Sequence, residues 1–248
     1  MMKHHIMIGV MSDVIFAIIA QGAKELNIGM PPGTEAAFRA YYDFLEERGQ
    51  IVNLTAISGA REVASLHFLD SLALLNAAAF DNTRVIDIGS GAGFPGVPLK
   101  IANPSIDLTL LDATGKRISF LSELCDELGI KATCIKARAE DAAHKPDIRE
   151  QFDIAVSRAV ARLNVLCELC LPFVRLDGSF IAMKTVDSTE EVEEAQSALI
   201  LLGAEMQGFY DYTIPDTDIS RRAILIRKTS ETPDKFPRRI KKIQNSPL

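Results

Sequence analysis

The sequence has no tryptophan, only four cysteines, and no apolar run that approaches the length of a membrane span. A transmembrane helix needs about 20 consecutive apolar residues, so we expect none here. The stretch from Lys3 to Ala20 loosely resembles a signal peptide, but Asp13 interrupts its apolar run. We instead predict an amphipathic helix that is capped by Ser12 or Asp13. These features indicate a cytoplasmic protein.

The cysteines are also too few and too irregularly spaced for a disulfide framework, which indicates reduced thiols. Cys167 and Cys170 form a C-x2-C pair, but neither a second pair nor a histidine pair completes a zinc site. Their spacing within an apolar helical run places both thiols on one buried face. We therefore expect no metal site.

The chain has fewer basic than acidic residues, and its basic residues are concentrated near the C-terminus. The 248 residues include 27 Lys and Arg against 33 Asp and Glu, a net charge of −6, which argues weakly against a nucleic-acid partner. Residues 219–248 nevertheless contain nine basic and two acidic residues, a net +7, which leaves −13 on residues 1–218. Because electrostatic binding depends on where charges lie, this segment is a candidate for nucleic-acid binding. A solvating tail is the alternative.

Hydrophobic periodicity divides the chain into two regimes. Up to about Ala79 the pattern is helical: Thr34 is a candidate N-cap of a helix that Gly49 ends, and another helix begins near Arg61. From Thr83 onwards, β-rich runs alternate with helical segments, which is typical of a doubly wound, mainly parallel sheet. Two last strands without a helix between them predict an antiparallel closing pair. The final stretch lacks apolar periodicity and is predicted to be a tail.

The most specific motif is a glycine-rich turn after the first β-rich run, Asp87-Ile88-Gly89-Ser90-Gly91-Ala92-Gly93-Phe94-Pro95-Gly96. Glycines allow the backbone to approach a ligand closely and to adopt positive φ. A helix that starts near Pro95 offers free N–H groups to an anionic part of that ligand. In a parallel sheet such a turn lies at the carboxyl edge, where nucleotide-like ligands bind.

Three details favour S-adenosylmethionine over NAD as this ligand. The G-x-G-x-x-G pattern of dinucleotide sites is broken, because Phe94 occupies the position of its last glycine. Asp87, at the end of the first strand, suits an ammonium group better than a pyrophosphate. Asp112, at the end of the second strand, is placed to accept both hydroxyls of a ribose. A purely structural turn would leave the acid on each of the two strands unexplained.

The segment after the fourth strand limits the methyl acceptor. It reads Ala155-Val156-Ser157-Arg158-Ala159-Val160-Ala161-Arg162 and lacks the D/N-P-P-Y/F motif expected of an exocyclic-amine methylase. No cysteine follows a proline in the manner of a base-carbon methylase. What remains is an acceptor that is already nucleophilic, such as the N7 lone pair of a guanine. Such an acceptor needs positioning rather than a general base.

Several short motifs occur in a characteristic order. They are Asn53-Leu54-Thr55, His67-Phe68-Leu69-Asp70-Ser71, the loop 87–96, Leu110-Leu111-Asp112, Gly115-Lys116-Arg117, Phe120-Leu121, Arg138-Ala139-Glu140, Ser157-Arg158-Ala159-Val160-Ala161, Phe236-Pro237-Arg238-Arg239 and Ser246-Pro247-Leu248. Together they resemble the bacterial ribosomal RNA small subunit methyltransferase G family, also called glucose-inhibited division protein B. The chain departs from the family's pattern at Gly49-Gln50 and its neighbours, where many members have Trp-Asn, and at Ala113, where Ser is common.

This resemblance implies an α/β fold: a Rossmann-like, doubly wound class I S-adenosylmethionine methyltransferase sheet with antiparallel closing strands. We expect an N-terminal helical extension (1–79), the methyltransferase core (80–230) and a basic tail (231–248). The implied activity is methyl transfer from S-adenosylmethionine to N7 of one guanine in a decoding-region loop of 16S ribosomal RNA, by a monomer. A small-molecule methyltransferase of the same fold and a non-catalytic RNA-binding module are the alternatives.

The resemblance and the strand-end acids also imply the site residues. The expected cofactor-binding residues are Asp87, Gly89, Gly91, Phe94, Asp112, Ala113, Thr114, Ala139, Glu140 and Arg158. The expected RNA-binding residues are Lys184, Lys235, Arg238, Arg239, Lys241 and Lys242. Candidates for positioning the acceptor are Arg138, Arg158 and His67, and no catalytic base is assigned.

Each of these residues also has a simpler interpretation. His67 is otherwise a core histidine that shapes the joint between extension and sheet together with Asn53 and Asp70. Phe94 is expected both to wall the methionine end of the cofactor and to pack the first helix against the sheet. For Arg138, Glu140, Arg158 and Lys184 the alternative is a solvated charge or surface ion pair.

Overall fold

The computed structural model describes the backbone of residues 2–52, 59–158 and 161–248, and the side chains of residues 13–48, 59–158 and 161–248. Asn53, Ala159 and Val160, which the sequence assigns to the joint and to the end of the fourth strand, lie outside the described residues. Within the part described, no helix is both long and apolar enough to cross a membrane.

Seven strands of the described residues form one sheet. They are β1 (Arg84–Ile88), β2 (Asp107–Asp112), β3 (Ala132–Lys136), β4 (Phe152–Arg158), β5 (Val174–Thr185), β6 (Ala204–Thr213) and β7 (Ser220–Lys228). Their order is β3-β2-β1-β4-β5-β7-β6. Strands β1 to β5 pair in parallel, and β7 runs antiparallel between β5 and β6. This confirms the doubly wound sheet and its antiparallel closing pair.

Helices cover both faces of the sheet, because its central strands are apolar on both sides. They are α1 (Met2–Glu25), α2 (Thr34–Val52), α3 (Ala60–Val63), α4 (Asp70–Leu72), α5 (Gly96–Ala102), α6 (Gly115–Glu127), α7 (Ala139–Ala142), α8 (Leu163–Cys170), α9 (Thr189–Glu194), α10 (Gln196–Leu202) and α11 (Ile240–Asn245). One apolar core joins α1, α2, α5 and α6 to the sheet, and a second core on the other face joins α8, α10 and α11 to it.

Two helix boundaries in the N-terminal extension differ from the sequence prediction. The first helix begins at Met2 rather than at Ser12 or Asp13, because no proline breaks the residues that precede them. The second begins at Thr34, which is therefore its first residue rather than the predicted N-cap, and it continues past Gly49 to Val52. One glycine costs a helix only about 1 kcal/mol, so it does not by itself end one.

A π-helical turn, Ala64–Leu69, connects α3 to α4, and a 3-10 turn, Ala73–Asn76, follows. The sequence predicts one regular helix here. The π-turn carries His67 and leads directly into Asp70, and both side chains are buried. Such turns occur frequently at functional sites, and this one faces the carboxyl end of β4.

The C-terminal segment is not a free tail, contrary to the sequence prediction. Phe236 and Ile243 are buried in the second core. The guanidinium of Arg149 donates hydrogen bonds to the carbonyls of Thr232 and Phe236, at 2.6 and 2.9 Å. The segment lacks periodicity because isolated apolar anchors and backbone hydrogen bonds, rather than one helical face, hold it.

Candidate active site

The glycine-rich turn lies at the carboxyl edge of β1, as predicted. Gly89, Gly91 and Gly93 all have positive φ, of 77°, 59° and 103°. Gly96 starts α5 against Asp87: its N–H donates to Oδ2 of Asp87 at 2.8 Å, and an added Cβ would lie 2.8 Å from that oxygen. The turn therefore brings the start of a helix into direct contact with the acid that ends the strand.

The carboxylate of Asp87 is fully buried and only half satisfied. Among the described residues no group donates a hydrogen bond to its Oδ1 atom. Burial raises the pKa of Asp87 to about 7, although the N–H of Gly96 and the charge of Arg158 act in the opposite direction. A buried acceptor without a donor is costly, so this atom suits a ligand that brings a cationic donor.

Asp112 ends β2 and joins it to the glycine-rich turn. Its Oδ1 atom accepts from the N–H of Thr114 at 2.8 Å, and its Oδ2 atom accepts from the N–H of Gly91 at 3.2 Å. The guanidinium of Arg117 lies 3.3 Å from Oδ2. Asp112 is itself 3% exposed. These contacts fix the carboxylate at the rim of a cavity.

That cavity, which we call the first cavity, has a volume of about 220 Å³. Its described lining includes Gly89, Asp112, Ala113, Thr114, Arg138, Ala139, Glu140 and Ser157. Ala139 and Glu140 form the first turn of α7, with Arg138 as its N-cap. Glu140 is 8% exposed, so it is not the solvated surface acid that we considered as an alternative.

These residues fit S-adenosylmethionine on two observations. The unsatisfied Oδ1 atom of Asp87 matches the ammonium group of the methionine part, although Asp87 is fully buried and does not belong to the described lining of either cavity. Ala139 and Glu140 present backbone N–H groups at a helix start, where intrahelical acceptors are lacking, which suits the acceptor nitrogens of an adenine. No described group of side chains has the composition of a metal site.

Phe94 lies at the centre of an aromatic cluster between the turn and the N-terminal extension. Its ring stacks on Tyr41 and His67, with centroids 5.2 and 4.6 Å apart, and meets Phe68 edge-on. The hydroxyl of Tyr41 donates to the carbonyl of Ala92 at 2.7 Å. Phe94 is 4% exposed, and these ring contacts are with the N-terminal extension rather than between the first helix and the sheet. Its contact with a cofactor stays a prediction.

Arg158 joins this cluster to a buried acid. Its guanidinium lies over the ring of Phe94 and contacts Nδ1 of His67 at 3.1 Å. It also contacts Oδ2 of Asp70 at 3.4 Å, while the hydroxyl of Tyr212 donates to Oδ1 of Asp70 at 2.8 Å. Sequence reasoning proposed Arg158 and His67 but missed Tyr212, which lies 142 positions from its partner.

The electrostatics of this network follow from its burial. Burial and the Arg158 charge lower the pKa of His67 to about 3, so the imidazole is neutral at physiological pH. Burial raises the pKa of the Asp70 carboxyl, and the charge of Arg158 opposes this. Arg158 thus makes a buried ion pair, not the surface pair considered above.

A second cavity of about 620 Å³ lies on the other side of Arg158. Its described lining is Leu66, His67, Asp70, Arg158, Ala161, Arg162, Met183, Lys184, Thr185, Glu191 and Arg221. Ser157 lines the first cavity and Arg158 the second, so two consecutive residues of β4 separate the two spaces. This volume falls in the range of about 300–1,000 Å³ that is usual for ligand sites, whereas the volume of the first cavity lies below that range.

The residues expected to bind RNA fall into three groups. Lys235, Arg239, Lys241 and Lys242 are exposed. Lys184 is mostly buried and forms an ion pair with Glu191 in the second cavity. Arg238 forms a bidentate ion pair with the fully buried carboxylate of Glu168, which gives it a structural role, and its contact with RNA stays a prediction. Arg149 and Glu168, which fix the segment, were missed by sequence reasoning.

Comparisons with known proteins identify the family. The sequence model of rRNA small subunit methyltransferase G matches residues 34–219. The ribosomal RNA small subunit methyltransferase G of Acetivibrio thermocellus is 42% identical over 232 residues, covering 93% of this chain and 96% of that protein. That of Lachnoclostridium phytofermentans is 45% identical over 220 residues, covering 88% and 91%.

A solved structure supports the fold alone. The branched-chain polyamine synthase C9 mutein of Thermus thermophilus, in complex with N4-aminopropylspermidine and 5′-methylthioadenosine, aligns with a TM-score of 0.53 at 13% identity. The alignment covers 77% of this chain and 65% of that one. With the strand order above, it agrees with the Rossmann-like fold of class I methyltransferases. On the sequence matches, this chain belongs to the rRNA small subunit methyltransferase G family.

Proposed function

We propose that this protein transfers a methyl group from S-adenosylmethionine to N7 of one guanine in a decoding-region loop of 16S ribosomal RNA. One observation carries the proposal beyond family membership: Ser157 and Arg158, adjacent in β4, line two different cavities. A cofactor in the first cavity and a base in the second would meet at this point. The substrate also implies a cytoplasmic protein, and we expect it to act as a monomer.

The first cavity would hold the cofactor along the carboxyl ends of three strands. Asp112, Ala139 and Glu140 line this cavity. The Asp112 carboxylate would accept from the ribose hydroxyls, and the N–H groups of Ala139 and Glu140 would donate to the adenine. The unpaired Oδ1 atom of Asp87 would accept from the ammonium group. Gly89 and Gly91 leave room for the backbone to approach the ligand. When bound, S-adenosylmethionine supplies a methyl group on a positively charged sulfur.

The chain's own residues then have to position the acceptor rather than deprotonate it. The N7 lone pair forms the new N–C bond as the S–C bond breaks, and no proton leaves N7. His67 is neutral and accepts a hydrogen bond from Arg158, so it orients the guanidinium and has no general-base role. Asp70 offsets the charge of Arg158, which reduces repulsion as positive charge develops on the guanine.

Affinity for RNA would come from the exposed cations of the C-terminal segment. Lys241 and Lys242 belong to α11, which packs on α8, and α8 supplies Leu166 and Leu169 to the wall of the first cavity. The basic segment is thus held beside the proposed active site. Contacts between such side chains and phosphates give affinity that falls steeply with salt.

The proposal is tested by incubating the protein with S-adenosylmethionine labelled in its methyl group and with small-subunit RNA that lacks the modification. We expect one labelled 7-methylguanosine after digestion of the RNA. Lys241→Gln/Lys242→Gln removes two exposed charges but keeps the buried anchors Phe236 and Ile243, and it should reduce the rate on RNA. Transfer of label to a metabolite instead of RNA would favour a small-molecule methyltransferase. Absence of S-adenosylmethionine binding would favour an RNA-binding module without catalysis.

A further inference from the structure

An ion pair lies in the wall of the second cavity, away from the aromatic cluster. Nζ of Lys184, on β5, lies 2.7 Å from Oε2 of Glu191, on α9. Lys184 also donates to the carbonyl of Ala161 at 2.5 Å. Both side chains line the cavity, with exposures of only 11% and 26%. The pair therefore presents a donor and an acceptor side by side in a cavity wall with little exposure to solvent.

Only one oxygen of the Glu191 carboxylate, Oε2, makes polar contacts with other residues of the described chain. Oε2 accepts from the N–H of Leu163 at 2.8 Å, at the start of α8, as well as from Lys184. Among the described residues, both hydrogen-bonding contacts of Glu191 are made by Oε2 and none by Oε1. Glu191 is thus oriented by contacts that leave acceptor capacity for a ligand in the cavity.

This arrangement matches one edge of guanine. The Watson–Crick edge of guanine presents the O6 acceptor beside two adjacent donors, the N1–H and the 2-amino group. Oε2 of Glu191 is already occupied, but the two lone pairs of Oε1 can accept from both of these donors. The ammonium of Lys184 is a suitable donor to O6. Adenine presents a single donor and an acceptor on that edge, so it cannot make the same contact with a carboxylate.

We propose that Glu191 reads the N1–H and 2-amino groups of the target guanine and so determines the base specificity of methyl transfer. This inference rests on the proposed function. The proposed contact also agrees with the placement of the two cavities, because N7 lies on the major-groove edge of guanine and the 2-amino group on its minor-groove edge. A guanine whose 2-amino group meets Glu191 can direct its N7 atom back towards Arg158 and the cofactor.

The test compares guanine with inosine, which lacks only the 2-amino group. Small-subunit RNA is prepared by ligation with either base at the target position, and methyl transfer to each is measured with the wild-type protein and with Glu191→Gln. We expect the wild type to favour guanine in kcat/KM by about 10- to 100-fold, the usual effect of losing a hydrogen bond to a charged group. In Glu191→Gln this preference should disappear, because the N–H of Leu163 and the ammonium of Lys184 require the amide oxygen in the position of Oε2. The NH2 group then faces the donors of guanine and cannot accept from them.

Glu190→Gln is the matched control, since Glu190 is an exposed carboxylate on the same helix, and it should keep the wild-type preference. Equal rates of the wild type on both RNAs would overturn the inference without any variant. An unchanged preference in Glu191→Gln would also overturn it, because a merely structural role at the start of α8 lowers both rates alike. If the wild type methylates neither RNA, the proposed function itself fails.

Discussion

Nη2 of Arg158 lies 3.1 Å from Nδ1 of His67, beside the ring of Phe94. A guanidinium has only donors, so Nδ1 must be the acceptor and the proton of the neutral ring must be on Nε2. The nearby Asp87 shows the opposite response to burial, since its pKa is raised to about 7 while that of His67 is lowered to about 3. Each group therefore prefers its uncharged form.

These two shifts predict slopes of opposite sign in the pH dependence of stability. Between pH 6.5 and about 3 the unfolded chain protonates His67 and the folded chain does not, so His67 lowers stability as the pH falls. Between about pH 7 and 3.8 only the folded chain protonates Asp87, so Asp87 raises stability as the pH falls. In the wild type the two contributions largely cancel.

Single variants should reveal each slope. As the pH is lowered from 6 to 4.5, the unfolding free energy of Asp87→Asn should fall by roughly 1 kcal/mol per pH unit relative to wild type. That of His67→Phe should rise by a similar amount per pH unit. Urea denaturation at several pH values measures both. Parallel curves for the two variants and the wild type would contradict the shifted pKa values.

The ion pair of Arg158 with Asp70 predicts a strong coupling between these residues. Arg158→Met leaves a carboxylate of 5% exposure without its main counter-charge, which should cost about 3 kcal/mol of unfolding free energy. In the double variant with Asp70→Asn, part of this loss should be recovered, because no buried charge is then left unpaired. Arg162→Met, which breaks a solvent-exposed pair with Glu194, is the control and should change stability little. Additive losses in the double variant would show that the two residues are not coupled.

The sequence predicted the sheet and the glycine-rich turn because their signals are local. The alternation of strands and helices, and Asp87 and Asp112 at two strand ends, lie within short windows of the chain. The contacts of Tyr41 with Ala92 and of Tyr212 with Asp70 span 51 and 142 positions, and no local pattern encodes them. They depend on how the N-terminal extension packs against the finished sheet.

The C-terminal segment was the least predictable part for the same reason. Phe236 and Ile243 are single apolar residues in a polar stretch, so periodicity gives no sign that they are buried. The partners that fix the segment, Arg149 and Glu168, are charged residues that a sequence suggests to be solvated. Only the second core, formed by other parts of the chain, makes these contacts possible.

Cofactor affinity should depend on pH through Asp87. An ammonium group pairs with the ionised carboxylate, and the pKa of that group in the unliganded protein is raised to about 7. Below this pH, binding must also release a proton, so the affinity for S-adenosylmethionine should fall by up to about tenfold per pH unit. Calorimetry at pH 6 and 8 measures this change. Asp87→Asn should bind weakly at both values, and a wild-type affinity independent of pH would exclude the proposed contact.

Asp112→Ala, which removes the expected ribose acceptor, should abolish binding at either pH.

The exposed cations of the C-terminal segment should set the salt dependence of RNA binding. In Lys241→Gln/Lys242→Gln, two charges are lost from the surface of α11, so the slope of log affinity against log salt should become shallower by roughly 1.4 to 1.8. Filter binding of small-subunit RNA at several salt concentrations gives this slope, and the free energy of unfolding should be unchanged.

Arg238→Gln separates a structural cation from an RNA-binding one. Arg238 neutralises the fully buried carboxylate of Glu168, so its replacement should lower the unfolding free energy by about 3 kcal/mol. While the protein stays folded, the salt slope should be that of the wild type, because this guanidinium already pairs inside the protein. The contrary result would be a salt slope as shallow as that of Lys241→Gln/Lys242→Gln together with an unchanged free energy of unfolding. It would show that Arg238 contacts RNA and that its ion pair with Glu168 does not stabilise the fold.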